Sequence, residues 1–251
     1  MEHATMMRLE NISKYFGKVR ALNNISMDIR RNEILGLLGD NGAGKTTLVN
    51  IIAGALAANQ GRMYFEGQQV EFSSPHEAKQ MGIDTVEQHL SLISIMSIAR
   101  NFYLGRELVK KIGPFKVLDQ KRMDIDCKRA VEEIGVRVRS PEDLVSTLSG
   151  GERQAIAIGR AFYFGCKLLL LDEPLAALSI KEARKVHEMI LQIRDAGSSV
   201  VYITHNVFHV YPIADRFVIL DRGDKLSEIE KENVSAEAII EAIATGTPVK
   251  T

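Results

Sequence analysis

The sequence has no excess of either charge: Lys+Arg and Asp+Glu each number 32 in 251 residues. That balance removes the electrostatic case for nucleic acid or an anionic membrane as the main partner. Cysteine is scarce. Cys127 and Cys166 lie far apart, without metal-site spacing, and a reduced, cytosolic chain is expected. No apolar stretch reaches the ~18 residues that a membrane-spanning helix needs. The longest candidate, Ala155–Leu171, is broken by Arg160 and Lys167. Met1–Met7 lacks the apolar core and cleavage site of a secretory leader. Internal repeats and low-complexity segments are missing too. What is there is ordinary for a globular chain: 45% hydrophobic and 25% charged residues, enough for one large domain or two small ones.

The pattern along the chain is mixed α/β. The first 35 residues alternate weakly, as half-buried antiparallel strands do. Glu33–Leu38 (EILGLL) is a short apolar run, the mark of a buried strand. A glycine-rich loop follows, then a helix expected from Lys45 to about Leu56, then a hairpin over Gly61–Phe72. Ser74-Pro75-His76-Glu77 reads as a helix start, with Ser74 as cap, Pro75 in the first position and Glu77 closing a capping box. From about Ser91 to Thr147 strand signals fade and helical patterns dominate, with Gly-Pro at Gly113-Pro114 and a second expected start at Ser140-Pro141. The α/β pattern then returns: a helix over Gly151–Phe164, the strand of KLLLLDEP, a helix over Ile180–Ala196, the strand of SSVVYITHN, a hairpin in RFVILDRGDKLSEIE and a last helix over Ala236–Thr245. Residues 91–147 thus read as a helical insertion in an α/β core.

Three constellations carry chemistry. Gly39, Asp40, Asn41, Gly42, Ala43, Gly44, Lys45 and Thr46 fit G-x-x-x-x-G-K-[ST], between a buried strand and a helix. Glycines let backbone N–H groups close around a phosphate, and the helix start adds its dipole. Lys45 is suited to the β and γ phosphates, Thr46 to Mg²⁺, and Thr47 continues the first turn. Leu168–Glu173 (LLLLDE) is an apolar strand ending in two carboxylates at the edge where α/β sheets take ligands. Asp172 fits a Mg²⁺ ligand, and Glu173 fits the group that polarises an attacking water. Leu148–Glu152 (LSGGE) opens a second helix suited to a phosphate.

LSGGE between such a loop and LLLLDEP resembles the signature motif of the ABC transporter ATPases, and the order of parts matches over nearly the whole chain. The resemblance implies a P-loop NTPase core of ABC ATPase type (about 1–90 and 148–251) with an N-terminal antiparallel β subdomain and a helical subdomain (91–147) between the Q-loop and the signature. Phe16 falls where the family stacks an aromatic on adenine, with Tyr15 as an alternative. Gln88 matches the Q-loop, a ligand of Mg²⁺ and water and a link to the membrane partner. Leu175–Ser179 (LAALS) matches the D-loop, and His205 the switch histidine at the γ-phosphate. Glu152 stands where many members have Gln, and Leu175 where many importers have Thr. His89, His187 and His209 match no motif and are expected at the surface or in packing.

The resemblance further implies a head-to-tail homodimer holding two ATP, each between the loop of one copy and Ser149, Gly150, Gly151 and Glu152 of the other. It implies separate transmembrane permease subunits, a periplasmic solute-binding protein acting indirectly, and a peripheral place on the cytoplasmic face of the inner membrane. Ile98–Glu107 (IARNFYLGRE) and Ala214–Gly223 (ADRFVILDRG) look like the ribose, xylose and fructose importer ATPases. The alternatives are an export ATPase, which keeps the chemistry, and a soluble ABC ATPase of nucleic acid or ribosomes. The latter class usually carries tandem cassettes, coiled-coil insertions or basic extensions, which this chain lacks.

Overall fold

The computed structural model describes residues 4–88, 92–133 and 139–249. Its elements are β1 (Thr5–Phe16), β2 (Val19–Arg30), β3 (Ile34–Leu38), α1 (Lys45–Ile52), β4 (Gln60–Phe65), β5 (Gln68–Val70), α2 (Pro75–Met81), β6 (Ile83–Val86), α3 (Ile98–Phe102), β7 (Val109–Ile112), β8 (Phe115–Leu118), α4 (Gln120–Glu133), α5 (Gly150–Tyr163), β9 (Leu168–Asp172), α6 (Ile180–Asp195), β10 (Ser199–Thr204), α7 (Val207–Val210), β11 (Arg216–Asp221), β12 (Asp224–Glu230) and α8 (Ala236–Thr245). They form two compact units. The first holds the chain up to Gln88, Cys166–Pro174 and the chain from Ile190 onward; the second holds the chain after Gln88 up to Gly165, and Leu175–Met189.

In the first unit the continuous apolar runs become internal strands. All five residues of β3 and all six of β10 are buried. Strands buried on both faces need cover on both, which a parallel sheet with flanking layers supplies. The sheet order is β12-β11-β3-β10-β9-β6, with β12 antiparallel at one edge and the other neighbours parallel. A second sheet, β2-β1-β4-β5, is antiparallel. Alternation sorts the side chains. Leu35 and Leu37 of β3, Leu168 and Leu170 of β9, and Val201 and Ile203 of β10 share a core with Leu48 and Ile52 of α1 and with Met7, Ile25 and Phe65 of the antiparallel sheet. Fully burying each such chain contributes about 1.5–3 kcal/mol over leaving it in water. On the other face Gly36 makes room for Phe217, whose ring would lie 2.7 Å from an added Cβ, and Tyr211 stacks on Phe217 at 5.6 Å. Arg216, itself buried, joins Glu33 (2.8 Å), Glu228 and the Asp28 carbonyl (2.6 Å), so its charge is met on several sides.

In the second unit α3, α4 and α5 bury Phe102, Met123, Val131, Ile156 and Ile158. Asn101 is buried and bonds the backbone of Ile93, Met96 and Ser97 with both ends of its amide, which satisfies the group fully. Cys127 here and Cys166 of the first unit are buried free thiols, each pushed up to about 12 by burial.

Four local expectations need correction. The helix after the glycine loop stops at Ile52, because Gly54 turns left-handed (φ 72°) against the Ser74 carbonyl. Ser74 makes no capping bond; Glu77 instead takes the N–H (2.9 Å) and hydroxyl (2.6 Å) of Ser73. Ser140-Pro141 opens a turn closed by Asp143 rather than a helix. Within the stretch expected to be helical, Val109–Ile112 and Phe115–Leu118 are antiparallel strands, with Gly113-Pro114 as their turn.

Candidate active site

Strand register places the expected residues. Leu38 is level with Thr204 and Ile219, Asp172 with Ile203, and Val86 with Leu171. The chain therefore leaves β3 at Gly39, β9 at Asp172 and Glu173, β10 at His205 and β6 at Glu87 and exposed Gln88, all at one carboxyl edge of the sheet. Loops there form the crevice in which open α/β sheets hold ligands.

The glycine loop is fitted to its surroundings. Gly39 has φ 146°, and a Cβ there would lie 2.3 Å from the Leu220 carbonyl oxygen. Gly44 has φ 103°, with the Ala21 carbonyl 2.8 Å from an added Cβ. Only glycine avoids both clashes. The Gly223 N–H donates to the Ala43 carbonyl (3.0 Å), and the Asn23 N–H to the Gly223 carbonyl (2.8 Å). The loop is thus backed by the β11–β12 turn and the start of β2. Ala43 is buried, while Asp40, Asn41 and Gly42 are exposed. Helix α1 starts at Lys45 with no side-chain cap and no acid in its first turn, which leaves its N-terminal dipole for an anion. Thr46 is exposed and Thr47 half-buried in that turn. Lys45 is buried, and its ammonium donates to the carbonyls of Gly39 (2.7 Å) and Asp40 (2.9 Å). Burial lowers its pKa, against the pull of Glu173, Asp172 and Asp40.

Asp172 and Glu173 are held differently. The Asp172 carboxyl is raised by desolvation first, then by the charge of Glu173, with Lys45 opposing. Glu173 adopts φ 48°, unusual for a non-glycine residue, and its N–H bonds the Ile203 carbonyl at 2.9 Å. Its carboxylate accepts from the Thr204 hydroxyl (2.8 Å), the His205 N–H (2.8 Å) and His205 Nδ1 (2.5 Å). The Glu173 side chain is 11% exposed and that of His205 55%. One carboxylate is therefore fixed in a cradle of donors, with a more exposed imidazole beside it.

Phe16 ends β1 half exposed, with the Lys14 ammonium 5.3 Å from its ring; Tyr15 is also exposed. Ser149, Gly150, Gly151 and Glu152 lie in the second unit. Ser149 caps α5 by accepting the Glu152 N–H (3.2 Å), and Glu152 reaches back to the Ser149 N–H (2.8 Å). The Gly151 N–H goes to Glu182 at 3.2 Å. Of the unassigned histidines, His209 sits 3.1 Å from the Asn206 amide and has its pKa lowered by burial first, His187 is half-buried, and His89 lies outside the described residues. Sequence reading missed Thr204, Gly223 and Glu182. The last had a signal: Ser179-x-x-Glu182 is itself a capping-box pattern.

The sequence profile of the ABC transporter family matches residues 22–176. The chain is 41% identical over 240 residues to a xylose/arabinose import ATP-binding protein of Sulfolobus acidocaldarius, covering 96% of this chain and 94% of that one. It is 39% identical over 251 residues to a fructose import ATP-binding protein of Rhizobium meliloti, covering 98% and 96%. A ribose import ATP-binding protein of Caldanaerobacter subterraneus is 33% identical, but the match covers 94% of this chain and 47% of that one. Among solved structures, the ADP conformation of an ATP-binding cassette of an ABC transporter superposes with TM-score 0.83 at 25% identity, covering 96% and 99%. A dimeric post-hydrolysis cassette bound to ADP and phosphate has the same fold, with TM-score 0.76 at 23% identity over 90% and 99%.

Proposed function

The chain belongs to the ABC transporter ATPase family, and on that premise we propose that it hydrolyses ATP to drive a monosaccharide importer through a separate membrane permease. One observation carries the chemistry: the glycine loop, Asp172, Glu173 and His205 leave neighbouring parallel strands at one edge. The relatives named for xylose, fructose and ribose import support the direction and the solute class. No described helix is long and apolar enough to cross a membrane, so the permease is assigned to other chains. Nothing observed favours an exporter or a nucleic-acid partner.

In this reading Gly39–Thr47 hold the ATP phosphates. The Lys45 ammonium, now on two carbonyls, exchanges them for the stronger charged acceptors of the β and γ phosphates. Phe16, exposed at its hairpin end, stacks on adenine. Glu173 accepts a proton from the attacking water; its cradle fixes the carboxylate and leaves little to reorganise. His205, bound to Glu173, turns its exposed imidazole to the γ-phosphate. A Mg²⁺ ion fits the donors: Asp172 is raised by desolvation first and then by the charge of Glu173, with Lys45 alone opposing, so a cation there would relieve both. Thr46, Asp172 and Gln88 would hold it, and it would neutralise charge on the phosphates. Among the described residues no cluster of three His, Cys, Asp or Glu forms a metal cage.

Two copies working head to tail would place Ser149–Glu152 of one against the phosphates on the other's loop. ATP then favours the closed pair and hydrolysis the open one, which is differential affinity for two states. The assembly sits on the cytoplasmic face of the inner membrane, and the periplasmic solute-binding protein meets the permease alone. Glu173→Gln keeps the cradle's shape and removes the base. The expected result is ATP binding within a few-fold of the parent, hydrolysis down by about 10²–10⁴, and an ATP-dependent dimer on size exclusion. A variant that stays monomeric in saturating MgATP rejects the two-copy reading; one that still hydrolyses at the parent rate rejects Glu173 as base.

A further inference from the structure

The β7–β8 hairpin exposes what most hairpins bury. Val109, Ile112 and Phe115 are 58%, 59% and 70% exposed. Ile112 and Phe115 face each other across the Gly113-Pro114 turn and form an apolar tip. Directly behind it Lys111 opposes Lys116. Like charges opposite one another on a hairpin repel, so this pair weakens the hairpin by itself. Lys110, on the other face, pairs with Asp119 at 3.2 Å, but among the described residues neither Lys111 nor Lys116 has an ion pair. From Val109 to Leu118 three cations, Lys110, Lys111 and Lys116, stand with no carboxylate among them, in a chain whose total charge is zero.

The order matters: apolar tip first, cations on both faces immediately behind. A flat protein surface offers no such layering. A phospholipid layer does, with its acyl boundary inside and its phosphates at the surface. We propose that the β7–β8 hairpin enters an anionic phospholipid surface, with Ile112 and Phe115 at the acyl boundary and Lys110, Lys111 and Lys116 on the headgroup phosphates. This goes beyond attachment through a permease, which requires no affinity for bare lipid.

The test uses the full chain and protein-free vesicles of phosphatidylcholine, with or without phosphatidylglycerol, in a co-sedimentation assay without nucleotide. The expected result is binding to the anionic vesicles alone, weakened by salt. Lys111→Gln with Lys116→Gln lowers the partition coefficient by about thirtyfold, at roughly five- to sixfold per lysine. Ile112→Ser with Phe115→Ser abolishes the part of the binding that salt does not remove. Both double variants keep the parent ATPase rate in solution, which separates lipid contact from the nucleotide site and reports that they fold. A parent chain that stays in the supernatant overturns the proposal and leaves the tip to a protein such as the permease. Variants that sediment like the parent overturn it equally.

Discussion

Asp172 and Glu173 are neighbours with the same functional group and opposite surroundings. Glu173 sits among three donors, whereas Asp172 is desolvated beside another negative charge. A raised carboxyl pKa means that the ionised form is disfavoured more in the folded chain than in the unfolded one. That penalty is absent below the ordinary range near 4 and grows as pH rises through the shifted value. At neutral pH, without a cation, Asp172 therefore destabilises the fold. Asp172→Asn should raise the melting temperature of the protein without nucleotide by a few degrees, while removing hydrolysis and most of the added stability that MgATP gives the parent. Calorimetric scans with and without MgATP check both signs; a lowered melting temperature without nucleotide refutes the argument. The types of residue needed for this chemistry were legible in the motifs. The left-handed backbone of Glu173 and its Thr204 support were not, since they join residues 31 apart on different strands.

At the scale of elements, two helix starts bind a single carboxylate. Glu182, in the first turn of α6, accepts the N–H and hydroxyl of Ser179 and also the Gly151 N–H of α5. The Ser179 bonds, chiefly its hydroxyl, hold the Glu182 carboxyl at about 2. A lowered carboxyl contributes stability that is present above the unfolded value near 4.3 and is lost as pH falls through about 2. Glu182→Gln should flatten the fall in stability between about pH 4 and 2, as read by denaturant titrations across that window; an unchanged slope rejects the contact as an energetic link. Long periodic elements such as α6 and the apolar strands β3, β9 and β10 were legible because their whole length repeats one pattern. The four-residue strands β7 and β8 were not. Val-Lys-Lys-Ile and Phe-Lys-Val-Leu neither alternate nor run long enough to separate period 2 from a helix turn. Ser-Pro gave the start of α2 at Ser74 correctly but misled at Ser140: a serine before a proline fits several turn geometries, and at Ser140 the Asp143 carboxylate selects a turn.

At the scale of the whole molecule, the parallel sheet joins segments distant in sequence. β3 pairs with β10 and β11, and Val200 lies beside Ile34, about 165 residues later in the chain. Translation runs in one direction, so the glycine loop leaves the ribosome long before its neighbours exist. At roughly 5–20 residues per second the wait is on the order of ten to thirty seconds. Until then no Gly223 backs Ala43, and no Thr204 or His205 holds Glu173. A chain ended after Ala196 carries the entire glycine motif and both carboxylates, yet should show no saturable binding of a fluorescent ATP analogue; binding as tight as that of the full chain would make the loop self-sufficient. On that expectation the nascent chain does not sense the nucleotide around it, and ATP, which stabilises only what can bind it, favours finished molecules over partial ones.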